Sequence, residues 1–400
     1  MTQASYIFSN SRRLLALASI MLLAVLLTAC NAGERSKRTN ADIERAELPQ
    51  IDDAYADSLE RLWSFDVGDG VGDRSLDIIA AYADGTVYAA DPSGQLTAVN
   101  GEDGSVIWTV NLGESISAGV GIGQGAVFVA DSEGGIYSID AQNGEQNWRV
   151  NAGGEVLAPP VIDSSTVIVR TVAGIVSGLR ISDGERRWAY QRTVPALSLR
   201  GTAPPAVYEG VALTSFASGK LVANEIETGT ILWEYDVVLP TGRNEIDRMI
   251  DLDATPVLVG SVLYLAAFQG EVIALSLGTR KVLWRKSVSS FRDIAADDNT
   301  IYVTADDGQV YAFDRLTGDE RWTQTALRGY SETGPTVFGD RVLVGDDDGR
   351  LHVLGRESGA LLGRLETGGT LGGKILSDGD RFFAQSLDGR LYAFQLPPTG

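Results

Sequence analysis

A tryptophan returns along most of this chain at nearly even intervals, and no other feature restricts the fold as strongly. "AVNGEDGSVIW" ends at Trp108 and "SIDAQNGEQNW" at Trp148. "GLRISDGERRW" ends at Trp188, "ANEIETGTILW" at Trp233, "ALSLGTRKVLW" at Trp284 and "AFDRLTGDERW" at Trp322. A glycine stands four positions before the tryptophan in five of these six copies, and Arg280 takes its place before Trp284. A seventh copy, "VLGRESGALLG", keeps Gly359 and carries Gly363 where the tryptophan would be. Repeats of this length are single supersecondary units that bury a core only by stacking on their neighbours.

The inside of each unit reads as strands. A glycine turn leads into an alternating run in "DPSGQLTAV", "DSEGGIYSI", "DDGQVYAF", "DDDGRLHVL" and "LDGRLYAF". Glycine allows positive φ at the turn, and the alternation puts every second side chain on one face. Further upstream lie runs such as "AVFVA", "TVIVR" and "TIYVTA". Each unit thus holds roughly four short strands joined by tight turns. Four-stranded units in tandem predict an all-β chain folded as a β-propeller. Seven units end at Trp108, Trp148, Trp188, Trp233, Trp284, Trp322 and Gly363, and three more strand-like runs follow the last. The strand missing from that final unit is available at the other end. "LERLWSFDV", with Trp63, precedes the first full unit. Eight blades over 59–396 are therefore expected, the eighth completed by residues 59–67, a closure that removes exposed sheet edges.

The copies resemble the tryptophan-docking repeats of quinoprotein alcohol dehydrogenases, close to A-x-D-x-x-T-G-x-x-x-W, and "AFDRLTGDERW" fits best. That resemblance implies that Trp63, Trp108, Trp148, Trp188, Trp233, Trp284 and Trp322 pack between neighbouring blades. It also implies looser packing where Arg280 and Gly363 depart from the pattern. A WD-type repeat is disfavoured, because no tryptophan is followed by aspartate.

The beginning of the chain has a separate logic. Arg12 and Arg13 precede an apolar run from Leu14 to Leu27, too short for a comfortable membrane span, and small residues lead to Cys30. Residues 1–29 read as a cleaved signal peptide. "LLTAC" resembles the lipobox of bacterial lipoproteins, which implies acylation of Cys30. In that family's sorting pattern, Asn31 after the cysteine implies the outer membrane. Cys30 is the only cysteine, so an internal disulfide is excluded. Residues 30–58 are polar and short of aromatics, and read as a flexible lipidated tether. The formal net charge is −20, and −22 once Arg12 and Arg13 leave with the signal. Such a chain is a poor match for nucleic acid or for anionic head groups, so membrane contact is expected through the lipid alone.

Sites for chemistry are hard to find. A quinone enzyme of the resembling family often carries an adjacent cysteine pair, and none follows Cys30. The acidic "GDDDG" at Gly345–Gly349 invites a calcium reading, but it aligns with hairpin turns in other units. His352 is the lone histidine and sits where neighbouring units have Tyr311 and Tyr392, which suggests a surface or inter-blade structural role. No nucleophile and base can be paired. No catalytic residue, cofactor or metal is assigned.

The spacing of the repeat locates something else. Successive tryptophans from Trp108 to Trp322 are 40, 40, 45, 51 and 38 residues apart. The excess falls after Trp188 and after Trp233, in links that join the outer strand of one blade to the inner strand of the next. In a propeller such links share one face, and these two are consecutive. One carries Leu197, Leu199 and Arg200. The other, "TGRNEIDRMIDLDATP", carries Ile246, Met249, Ile250 and Leu252 among the acids Asp247, Asp251 and Asp253. Apolar groups mixed with charge on adjacent loops make a docking patch for another protein, or else a lid over the propeller face.

With the lipobox, eight repeats without cofactor ligands, and the strings "PALSLRG" and "NEIDRMIDLDATP", the chain resembles the BamB family. Its members are lipoprotein subunits of the outer-membrane β-barrel assembly machinery. The resemblance implies a non-enzymatic scaffold on the periplasmic face of the outer membrane. It implies that Leu197, Leu199, Arg200, Asp251 and Asp253 meet the POTRA domains of the barrel subunit BamA. It implies, too, a part in handling unfolded barrel proteins within the Bam complex. A quinone-dependent dehydrogenase-like propeller and a generic periplasmic binding propeller remain the alternatives.

Overall fold

Alternating β-branched and aromatic side chains suit a pleated surface buried on both faces, and the runs after each turn glycine form strands for that reason. The computed structural model describes residues 43–51, 60–71, 76, 78–194, 203–217, 219–238, 252, 254–268, 270–330 and 333–395. Among them every regular element is a strand, and the strands make eight four-stranded antiparallel sheets. The chain from Arg45 onward is one compact unit, and before it only residues 43 and 44 are described.

In seven sheets the strand order is the chain order, as in Ala81–Ala83, Thr86–Ala90, Gln95–Asn100 and Val106–Asn111 of blade 1. First strands of neighbouring blades meet around the axis, and Ala81–Ala83 meets Leu371–Ser377 of blade 8. The expected eight-bladed β-propeller is the observed fold. Blade 8 consists of Leu371–Ser377, Arg381–Ser386, Arg390–Gln395 and, outermost, Glu60–Asp66. Glu60–Asp66 lies antiparallel to Arg390–Gln395, with Trp63 opposite Ala393 and Phe65 opposite Leu391.

The packing between blades follows from one volume rule. Across the sheet, Trp108 faces Ala98, Trp148 faces Ser138, Trp188 faces Gly178 and Trp284 faces Ala274. Where the tryptophan is replaced by Gly363, the opposite residue is Val353. Large thus stands opposite small, in either arrangement, and the interior stays filled. Six indoles donate to a carbonyl of the following blade at 2.7–3.2 Å, for instance Trp108 to Ala141 and Trp322 to Arg356. The ring of each lies over the turn glycine four residues before the next tryptophan position. A Cβ built on Gly318 would come within 2.7 Å of Trp284, and Gly318 has a φ of +74°. Only glycine satisfies both demands without strain.

Arg280 holds the same left-handed conformation, with φ +54°. Trp233, the tryptophan before it, is half-buried, and among the described residues it makes no such indole bond. A side chain at 280 costs about 1–2 kcal/mol in this backbone region. Replacing it by glycine returns that strain and gives up about 0.5–1 kcal/mol to the entropy of the unfolded chain. Arg280→Gly is therefore expected to stabilise the protein by about 0.5–1 kcal/mol. Gly318→Arg, against Trp284, is expected to cost about 2–4 kcal/mol. Denaturant midpoints read both changes, and an Arg280→Gly chain that unfolds earlier than the parent would contradict the account.

Candidate functional site

Each link from an outer strand to the next inner strand crosses the turn between the second and third strands of its own blade. The Ala152 N–H donates to Gly134 O at 2.8 Å, Arg192 N–H to Gly174 O at 3.0 Å and Val237 N–H to Gly219 O at 2.9 Å. The remaining turns pair on the opposite face, as where Gly101 N–H donates to Gly85 O at 2.8 Å. The two lengthened links therefore leave neighbouring blades, 3 and 4, on one face of the ring.

Leu197, Leu199, Arg200, Asp251, Asp253 and Cys30 lie outside the described residues. The roots of the two links are described. Arg170, 4% exposed, donates to Ala203 O at 3.1 Å and stacks over the Phe216 ring at 5.1 Å. Ala203 itself is buried. Leu252 was expected among the exposed apolar groups of the second link. It is instead 1% exposed and packs with Leu213, Leu221 and Leu263. Its carbonyl accepts from Ser215 Oγ at 3.0 Å. Burial of an apolar side chain outweighs the cost of bending the link inward to reach the core.

Beneath the links runs a charged network that the sequence reading missed. Arg192 donates to Glu234 at 3.2 Å and to the Tyr190 hydroxyl at 3.3 Å, and that hydroxyl donates to Glu234 at 3.3 Å. Lys220 pairs with Asp236 at 2.5 Å. The network joins the outer strands of blades 3 and 4 just before each link departs. Partly exposed pairs of this kind contribute at most about 1 kcal/mol each, so their main effect is positional. The available signal was charge at outward positions beside two successive tryptophans. Nothing local, however, says that residues 42 apart meet.

Other candidates resolve into structure. Among the described residues no group of three or more His, Cys, Asp or Glu is placed to hold a metal. In the acidic turn, Asp346 is fully buried and accepts from the N–H groups of Asp348 at 3.0 Å and Arg350 at 2.8 Å. Its other oxygen meets His352 Nε2 at 2.8 Å. His352 is 0% exposed, so of the two structural roles expected, surface or inter-blade, the surface one falls away. Blade 2 shows what the position does: Asp131 accepts from Tyr137 at 3.1 Å and from Arg149 at 2.8 Å. Burial pushes the Asp131 carboxyl up, yet Arg149, the Gly135 N–H and Tyr137 together hold it below the usual carboxylate range. In blade 7 the histidine replaces the tyrosine, and Arg364 stands where Arg149 does. A cavity of about 610 Å³ opens among the inner segments of blades 5 to 8 and of blade 1, with Arg292, Asp293 and Lys374 in its wall. Arg292 stacks on Phe291 at 4.5 Å, and Asp293 accepts from the Thr255 N–H at 2.8 Å.

The reading of 30–58 as free tether also needs correction over part of its length. Residues 45–49 lie against blades 6 and 7. Arg45 engages Asp347 and Asp348, and Ala46 N–H donates to Arg328 O at 3.0 Å. Composition marks a segment as polar and says nothing of acids 300 residues away that can hold it.

Comparison with known proteins follows from this geometry. A family model described as outer membrane protein assembly factor BamB matches residues 53–118, 98–324 and 312–396. A protein of that name from Alkalilimnicola ehrlichii is 44% identical over 388 residues, 97% of each chain. The crystal structure of BamB from Moraxella catarrhalis superposes with a TM-score of 0.77 at 30% identity, covering 84% of this chain and 100% of that one. A quinohemoprotein alcohol dehydrogenase from Pseudomonas putida superposes with a TM-score of 0.68 at 14% identity, over 90% of this chain and 79% of its own, a likeness of fold alone.

Proposed function

The chain belongs to the family of outer membrane protein assembly factor BamB, and from that premise we propose that it is a non-enzymatic scaffold for outer-membrane protein assembly. In this reading Cys30 is acylated and holds the protein at the periplasmic face of the outer membrane. Leu197, Leu199, Arg200, Asp251 and Asp253, on the two lengthened links, bind the POTRA domains of BamA within the Bam complex. The propeller then helps to present unfolded barrel proteins for insertion. One observation carries the reading. The likeness to assembly factors spans the whole propeller, both lengthened links included. The rooted, consecutive links on one face support it, because a rigid base lowers the ordering cost of a binding loop.

Affinity capture from detergent-solubilised outer membranes tests it. The tagged parent chain is expected to bring BamA with it. Cys30→Ala is expected to leave the membrane fraction, since several acyl chains at about 0.8 kcal/mol per buried CH₂ supply the anchorage. Capture without BamA would remove the partner assignment, and a membrane-bound Cys30→Ala chain would remove the lipid anchor.

A further inference from the structure

The segment Arg45–Pro49 is seated by every kind of contact that a peptide groove offers. Arg45 Nη1 donates to both oxygens of Asp348 at 3.0 Å, and Nη2 to Asp347. The guanidinium lies over the Tyr330 ring, 4.7 Å from its centroid. The main chain is held at both ends of the stretch: Ala46 N–H donates to Arg328 O at 3.0 Å, and Arg364 Nη2 donates to Pro49 O at 3.4 Å. Between them Leu48 packs on the apolar cluster of Trp322, Leu327 and Val342 at the boundary of blades 6 and 7.

The propeller side is shaped for this occupant. A Cβ on Gly329 would meet Arg45 Cγ at 3.0 Å and its Cα at 3.1 Å, so glycine leaves the room the segment uses. Blade 7 departs from blade 2 in a way that serves the same end. In blade 2, Arg149 closes on the buried Asp131. In blade 7, His352 takes the buried Asp346, and Arg364 reaches out to Pro49 O. An arginine held between two carboxylates, a ring stacked on it and a partly buried leucine are anchors of the kind that carry peptide recognition.

We propose that Arg45–Pro49 is an intramolecular latch that closes on the groove between blades 6 and 7 and sets where the membrane tether leaves the propeller. The groove includes the turn at Asp346–Gly349 and the link through Arg328–Tyr330. These belong to the face that carries the two lengthened links, two link positions further round the ring from the second of them. The proposal rests on the lipid anchor at Cys30 for its consequence, though not for the docking itself. Closed, the latch leaves residues 31–44 between anchor and propeller. Fourteen residues then separate anchor from docked segment, against twenty-eight over 31–58 when the latch is open. The latch thus holds the link face near the membrane and limits how the propeller can turn.

Trypsin reads the latch in the full mature chain, in detergent micelles. Arg35, Lys37, Arg38 and Arg45 are the basic residues between Cys30 and the propeller. Cleavage after Arg45 is expected to be slower than after Arg38 by about tenfold or more, since cutting follows the population of the open segment. A synthetic peptide of residues 33–51 supplies the intrinsic ratio of the two sites. Asp347→Asn with Asp348→Asn is expected to bring the chain to the peptide's ratio. Leu48→Asp, which alters only the segment, is expected to do the same and serves if the double variant disturbs blade 7. A parent chain that already cleaves with the peptide's ratio overturns the proposal, and so does a Leu48→Asp chain that remains protected. Cys30→Ala separates the two readings. Protection at Arg45 with the variant still membrane-bound leaves the latch standing without the anchor, and loss from the membrane with no protection does the reverse.

Discussion

A chain lacking Glu60–Asp66 is expected to lose the closed ring and to melt far below the parent. The strand is the outer edge of blade 8 and pairs along its length with Arg390–Gln395. Its Trp63 lies 5.9 Å from Phe383, ring to ring, and donates to Gly101 O of blade 1 at 3.2 Å. Without it the sheet edge at Arg390–Gln395 is unpaired, and the fully buried Phe383, Leu391 and Ala393 lose part of their cover. Trp63→Ala alone is expected to cost about 3 kcal/mol. Loss of the whole strand exceeds about 5 kcal/mol, the size of a domain's entire stability. Removing residues 31–44 is the control and is expected to leave the transition where it was. Thermal unfolding followed by circular dichroism measures all three. A strand-deleted chain melting within a few degrees of the parent would mean that blade 8 stands on three strands.

Changing Leu197, Leu199 and Arg200 together to alanine is expected to weaken binding to the BamA POTRA domains by at least about thirtyfold, or about 2 kcal/mol. In the proposed reading the variant removes two apolar anchors and one arginine at once, and Asp251 and Asp253 lose the charge that would set orientation with them. Stability is expected to stay within about 0.5 kcal/mol, because the links are rooted elsewhere. Arg170 on Ala203, Leu252 in the core and the Arg192–Glu234 network hold the base of each link without these three side chains. Binding by calorimetry and unfolding by denaturant give the two numbers. A variant that keeps its partner and loses stability would make the leucines a lid over the propeller face.

The proposed site is less legible in sequence than the ring that carries it. A link that is too long announces itself against an even repeat, which is why the excess residues after Trp188 and Trp233 are assigned to one face by spacing alone. The same repeat cannot say which side chains of a link turn inward. Leu252 reads like its apolar neighbours and is core, because Leu213, Leu221 and Leu263 from two blades leave it a place. His352 reads as a surface or inter-blade replacement for a tyrosine and is buried on Asp346, six residues before it, where only the hairpin brings the two rows of side chains together.

Sequence alone determined the architecture: strands from alternation, blades from the tryptophan period, ring closure from three strands left over at one end and one at the other, and family from the strings in the links. These are properties that repeat, and repetition makes a weak local signal strong by showing it several times. Tertiary structure alone decided the features that occur once. The seat of Arg45 on Asp347 and Asp348 joins residues about 300 apart. Arg364, opposite the His352 that holds Asp346, reaches Pro49. Such contacts depend on where the closed ring carries distant segments, and neither propensity nor period at either end encodes the meeting.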